Sequence, residues 1–237
     1  MNQLLLFDIW GEYAHFKKYY TTSSPLTFAI PPRTAISGLI GAILGIHKDE
    51  YPQYFTRDKA RIGVRILHPI NKYRISENFI DTKSSGSIDM SKIKNRTQIK
   101  LEVVKQPGYR IYFTHSDINL FEQFCTMVQS HRTVYTPCLG ISEFLANFKF
   151  QDIVEFEETT DVTETISVYT ASPKEQLANI EFESGKSYFS ESLPGEMNMD
   201  RSVNDYVETL YERSGQPIKV RTAHGWKTQD GEYFFFL

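Results

Sequence analysis

Residues 31–45 read Pro31-Pro32-Arg33-Thr34-Ala35-Ile36-Ser37-Gly38-Leu39-Ile40-Gly41-Ala42-Ile43-Leu44-Gly45. Ile36, Leu39, Ile40 and Ile43 recur at helical spacing, which predicts a helix over about 34–46. Pro32 stands just before it, Thr34 is the candidate N-cap and Gly45 the candidate stop. Upstream, residues 2–10 are apolar at both parities and predict a strand buried on both faces. Downstream, Ile62, Val64 and Ile66 alternate with Arg61, Gly63 and Arg65, a second strand within 60–70.

The pattern repeats further on. Ile99–Val104 and Tyr109–Thr114 predict strands around the turn Gln106-Pro107-Gly108. Ser116-Asp117 caps a second helix over about 117–131, with Phe121, Phe124, Cys125 and Val128 on one face. Residues 142–154 are expected to begin as helix and continue as strand. The order strand, helix, strand, strand, helix, strand is that of a ferredoxin-like (RRM-like) α+β domain, used by several RNA-binding modules. Residues 82–98 interrupt it as a Ser-, Lys- and Asn-rich excursion. Residues 151–237 lean towards β and end in a hairpin signal, Asp230-Gly231. The expected division is therefore 1–150 and 151–237.

Composition narrows the chemistry. Apolar residues make up 41% of the 237 and charged residues 23%, so a folded globular chain is expected. Asp8 cuts the run Leu4–Phe7 short, so the N-terminus does not read as a signal peptide. The apolar run Ile36–Ile46 is too short to span a bilayer. A cytoplasmic location and no membrane partner are expected. Cys125 and Cys138 form no CxxC pair, and the six histidines lack metal spacing, so neither metal nor cofactor is expected. Nucleotide-binding, zinc-protease and serine-hydrolase motifs do not occur.

Charge is uneven. Residues 1–150 carry 19 Lys+Arg against 12 Asp+Glu, whereas 151–237 carry the remaining 7 and 17. A basic first half suits a polyanion, and solvated surface is the competing reading. Lys17, Lys18, Tyr19 and Tyr20 interleave cations with rings, and Arg33 stands at a helix entrance, where free N–H groups favour phosphate. Lys83, Lys92, Lys94, Arg96, Lys100, Lys105 and Arg110 make the excursion and its flanks basic. His15, near Lys17 and Lys18, is the one candidate for acid–base cleavage of RNA.

Three stretches carry a resemblance. Phe16–Phe28 followed by Pro31–Gly45, then Asn95–Ile99 through Tyr109–Tyr112, then Tyr135–Glu143, are similar to the CRISPR-associated Cas-five family, most of all its subtype I-B members. The resemblance implies a ferredoxin-like domain with an inserted β-hairpin thumb at about 75–105 and a smaller β-rich C-terminal part. It implies a non-catalytic subunit of the Cascade complex that caps the 5′ handle of the guide RNA. The backbone subunit, the large subunit and target DNA near its flanking motif are the further contacts. The RNA-binding residues it points to are Lys17, Lys18, Tyr19, Tyr20, Arg33, Thr34, Lys92, Lys94, Arg96, Arg110 and Gly140. The alternative is a metal-independent endoribonuclease acting on the guide precursor. A sister branch, subtype I-C, cuts the precursor itself and resembles a Tyr–Lys–His active site in which Lys and His are adjacent. This sequence has no Lys-His dipeptide; Thr114-His115 and His47-Lys48 are the nearest.

Overall fold

The computed structural model describes residues 2–21, 24–80 and 96–237. It is an α+β fold, mostly sheet. In chain order the first part contains β1 (Gln3–Trp10), β2 (Tyr13–Ala14), α1 (Arg33–Leu44), β3 (Ala60–Ile66), β4 (Asn71–Ile80), β5 (Arg96–Lys105), β6 (Gly108–His115), α2 (Ile118–Gln129) and β7 (Asn147–Val168). The rest contains β8 (Ser172–Pro173), β9 (Asn179–Glu181), β10 (Tyr188–Met197), β11 (Val203–Glu212), β12 (Ile218–Thr228) and β13 (Tyr233–Phe234).

β1 is central because it is apolar on both sides. Leu5, Phe7 and Ile9 enter the core shared with both helices, while Leu4 enters a second core with Tyr112, Val154 and Phe156. β1 pairs antiparallel with β6 and β7, and β3 pairs antiparallel with β6. The full sheet runs β3-β6-β1-β7-β13-β12-β9. β7 runs without a break from 147 to 168: its first part pairs with β1 and its second with β12. Residue 150, where composition shifts, lies inside that strand. Leu193 of β10, Tyr211 of β11 and Leu237 join the same core as α1. The expected hairpin at Asp230-Gly231 is present, with Trp226 opposite Phe234 and Gly231 at φ 89°.

α1 buries Ile36, Leu39, Ile40 and Ile43, each worth roughly 1.5–3 kcal/mol of apolar transfer. Pro32, not Thr34, is the N-cap. Its ring fixes an extended entry (φ −61°, ψ 155°), and its carbonyl accepts from the N–H groups of Ala35 and Ile36. Gly45 closes the helix in the left-handed region, at φ 79°. α2 is capped by the Asp117 carboxylate, which accepts from the N–H groups of Asn119 and Leu120, and buries Phe121, Phe124, Cys125 and Val128.

Two local expectations fail. The helix at the start of 142–154 does not form. A bridge between Cys138 and Leu145, with Leu139 N–H donating to the Phe144 carbonyl, closes a compact loop there before β7 begins. The turn at 106–108 does not join a hairpin either. β5 pairs with β4 and β2, whereas β6 pairs with β1 and β3, so the turn carries the chain from one sheet to another. Among the described residues, no helix is long and apolar enough to cross a membrane.

Candidate nucleic-acid interface

Residues 15–21 and 24–28 pair with each other beside the start of α1. Lys17 bridges Thr27, Lys18 N–H donates to the Leu26 carbonyl, and Phe28 N–H donates to the Phe16 carbonyl. The loop after Pro137 closes the other side, and His15 N–H donates to the Leu139 carbonyl. Gly140 lies so close that a Cβ built on it would stand 1.9 Å from the His15 carbonyl oxygen, and its φ is 97°. Only glycine fits there. Between these segments lies a cavity of about 220 Å³ lined by His15, Lys17, Thr34, Gly140, Met197 and Arg201, among others.

The candidate residues separate into distinct groups. Lys17 is exposed and has no ion pair among the described residues. Thr34 and Gly140 line the same cavity. Tyr19 and Tyr20 are 56% and 60% exposed and stand edge to face at 5.1 Å; Tyr19 also packs on Tyr206 at 4.7 Å, and the exposed remainder of each ring could meet a base. Lys18 is already engaged. Its ammonium lies 2.6 Å from Glu191 and 5.3 Å from the Phe28 ring centre. Burial works against both charges, but the bond between them outweighs it, raising the Lys18 pKa and lowering that of Glu191. Arg33 is only 2% exposed, and its guanidinium donates to the carbonyls of Gly195 and Ala60. It does not share the cavity with Lys17. Arg110 clasps Asp8 through two bonds of 2.7 and 3.1 Å on the sheet. Lys92 and Lys94 lie outside the described residues.

Arg96 opens β5, one arm of a long antiparallel pair. The arms run in register from Asn71 opposite Lys105 to Ile80 opposite Arg96, flanking the excursion. Their inner end is anchored: Leu101 and Val103 pack with Phe144, and Lys72 donates to the Thr27 carbonyl at 2.7 Å. Their outer end is solvated on both faces, with Phe79 and Ile80 each 44% exposed. Arg74, Arg96 and Lys100 are exposed there. Sequence reasoning missed Arg74 and Arg201. Arg74 was legible as the same-face neighbour of Lys72, two residues on. Arg201, at φ 66° in the acidic half, carried no signal.

The histidines are held by other groups. His15 is 3% exposed and its Nδ1 lies 2.7 Å from the Glu102 carbonyl oxygen. A carbonyl only accepts, so Nδ1 carries the proton. Burial, aided by Lys17, lowers the His15 pKa despite that bond. His115 Nε2 donates to the Tyr54 carbonyl, and His131 stacks on Phe148 at 4.6 Å.

Comparison with known proteins places this geometry in a family. The chain is similar in fold to a protein solved as part of a CRISPR RNA-guided surveillance complex, at 9% identity and TM-score 0.56 over 92% of this chain and 90% of that one. It is equally similar to a CRISPR protein from Archaeoglobus fulgidus, at 14% identity and TM-score 0.56 over 98% of each. No curated protein matches significantly by sequence. The model of the family described as CRISPR-associated protein (Cas_Cas5) matches residues 4–144. The chain belongs to the Cas_Cas5 family of CRISPR-associated proteins.

Proposed function

We propose that this chain is a non-catalytic RNA-binding subunit of a type I-B Cascade complex, which caps the 5′ handle of the guide RNA in the cytoplasm. One observation carries the reading: Lys17, exposed and with no ion pair among the described residues, lines an open cavity with Thr34 at the N-terminal end of α1, and Tyr19 and Tyr20, two and three residues further along the chain, are exposed. Rings take unstacked bases, and the cation with free helix N–H groups takes the backbone between them. The strand order β3-β6-β1-β7, with α1 and α2 as its crossovers, is read as the ferredoxin-like part, and the arms β4 and β5 as the thumb. The thumb would meet the backbone subunit or the RNA, and the large subunit and target DNA would lie beyond. The engaged histidines favour a binding role over the endoribonuclease alternative.

The test is direct binding of a repeat-derived handle RNA, with EDTA present, followed by fluorescence anisotropy and by gel. Tyr19→Ala and Tyr20→Ala are each expected to weaken binding by about 1–3 kcal/mol, roughly five- to 150-fold, if each stacks on one base. Wild-type affinity in both variants would overturn the placement. A discrete cleavage product in EDTA would favour the enzyme.

A further inference from the structure

On another side of α1 lies a smaller cavity, of about 180 Å³, that the RNA reading does not use. Arg33, Arg57, Arg61, Gln176, Trp226 and the C-terminal Phe236-Leu237 line it, and no acidic side chain does. Three observations set it apart from ordinary basic surface. First, Arg33 is buried, yet has no acidic partner within ion-pair distance among the described residues; two carbonyls accept from it and donor groups are left over. A buried cation whose counter-charges stand beyond ion-pair distance is costly. Second, Trp226 is 8% exposed and its indole Nε1–H has no hydrogen-bond partner among the described residues. A buried donor left unmade costs about 1–3 kcal/mol. Third, Arg61 is held with its guanidinium 5.9 Å from the centre of the Trp226 ring, so the exposed cation and the buried donor meet at one mouth.

Burial, and then the neighbouring Arg57, push the Arg33 pKa down to about 10, still well above neutrality, so the site is cationic under physiological conditions. Glu196, Asp205 and Asp58 act on Arg33 at longer range; one oxygen of Asp205 pairs with Arg57 at 2.7 Å, and the other is buried with no hydrogen-bond partner among the described residues. What the cavity lacks is a compact, multiply charged acceptor. Guanidinium groups match the oxygens of a tetrahedral phosphate, and the indole N–H reaches one more. Gln176 Oε1, a buried acceptor also without a partner among the described residues, suits a hydroxyl carried by the same ligand.

We propose that this cavity is a phosphate-binding site, with Arg61 and the Trp226 indole N–H as its gate and Arg33 as its buried base. It stands whether or not the cavity at Lys17 binds RNA. The phosphate has two sources, free inorganic phosphate or a phosphate of RNA, and the experiment separates them.

The chain contains two tryptophans, Trp10 and Trp226. Nitrogen-15 NMR of the full chain therefore shows two indole signals, assigned with Trp10→Phe. Inorganic phosphate is expected to move the Trp226 signal and leave Trp10 in place, and acetate at equal ionic strength to move neither. Arg61 is exposed, so Arg61→Gln folds, and it is expected to weaken phosphate binding at least about tenfold. A short RNA is then added with a 5′-phosphate or a 5′-hydroxyl. A shift with both assigns an internal phosphodiester; a shift with the phosphorylated RNA alone assigns the chain end. A shift with inorganic phosphate only assigns free phosphate, and leaves the handle reading to its own test. No movement of Trp226 with any of the three, an equal response to acetate, or an unchanged response in Arg61→Gln overturns the site.

Discussion

Glu191 shows how a single side chain ties the Lys17–Lys18 segment to the distant C-terminal sheet. Its carboxylate accepts from Lys18, from the Ala29 N–H at 3.0 Å and from the Tyr211 hydroxyl at 2.7 Å, with Lys72 3.7 Å away. Burial opposes the charge, but these donors outweigh it and hold the Glu191 pKa below its ordinary value. A carboxyl depressed on folding stabilises above its unfolded pKa of about 4.3, and that contribution is lost as pH falls through the lower folded value. Glu191→Gln should therefore lower thermal stability at neutral pH and flatten its fall below about pH 4, measured as the melting temperature against pH. Lys18→Gln strips the same pair and should cost on the order of 3 kcal/mol of stability, whereas Lys17→Gln should leave melting unchanged and weaken RNA binding. If Lys18→Gln melted like wild type and lost only RNA affinity, Lys18 would belong to the interface instead. Gly140→Ala tests the cavity wall. It meets the His15 carbonyl and an unfavourable φ at once, so a loss of at least about 1–3 kcal/mol in urea melts is expected.

At the scale of elements, the arms β4 and β5 are long but poorly supported. A two-stranded pair without a core is marginal in water. Only Leu101, Val103 and Val104 of β5 are buried, all near the inner end. Hydrogen exchange in the isolated chain should therefore be slow at 101–104 and fast at 76–80 and 96–100, and slow at all three once the arms meet RNA or a neighbouring subunit. Equal protection of the outer arm, free and assembled, would argue against docking there. The elements themselves were legible wherever one period dominated: 3.6 in Ile36, Leu39, Ile40 and Ile43, and 2 in Ile62, Val64 and Ile66. The corner at Gln106-Pro107-Gly108 was not, because the same residues serve a hairpin or a passage between sheets, and only the partners of β5 and β6 decide which. Nor was the loop at 141–145, whose apolar spacing fits a helix but whose backbone bonds go to residues 137–141.

At the scale of the whole molecule, the basic first half does not act as one surface. Composition put Lys17, Lys18 and Arg33 together, and the fold separates them into an open cation, a half-buried ion pair with a residue 173 positions away, and the floor of another cavity. Sequence reading recovers which residue types are present but not the long-range partners that consume their charge. If Lys17, Arg201, Arg74, Arg96 and Lys100 together neutralise about five phosphates, log affinity for single-stranded RNA should fall with log salt at a slope of roughly −3.5. Removing Lys17 should make that slope shallower by roughly 0.7, while removing Lys18 should leave it alone.

The same separation bears on cleavage, for which the expected outcome is none. Attack by a ribose 2′-hydroxyl needs a base for its proton and a donor for the leaving 5′-oxygen, held in line. His15 borders the cavity with Lys17, which makes it the best challenger. With Nδ1 donating to the Glu102 carbonyl, its Nε2 is a neutral acceptor, and the lowered pKa keeps it so at pH 7. It can accept a proton, but as a weak base; Lys17 and Tyr51 also line the cavity, and burial raises the Tyr51 pKa, so its hydroxyl is a poor proton donor to the leaving oxygen. His115 and His131 are anchored elsewhere, against Tyr54 and Phe148. Single-turnover reactions of a repeat RNA with this protein should give no product, and His15→Ala, His115→Ala and His131→Ala should leave guide maturation intact in cells. The control is a substrate with a 2′-deoxy sugar at the scissile position. Product formed by the wild type that disappears both with that substrate and with His15→Ala would make this cavity an active site, with His15 as its base and Lys17 steadying the phosphate.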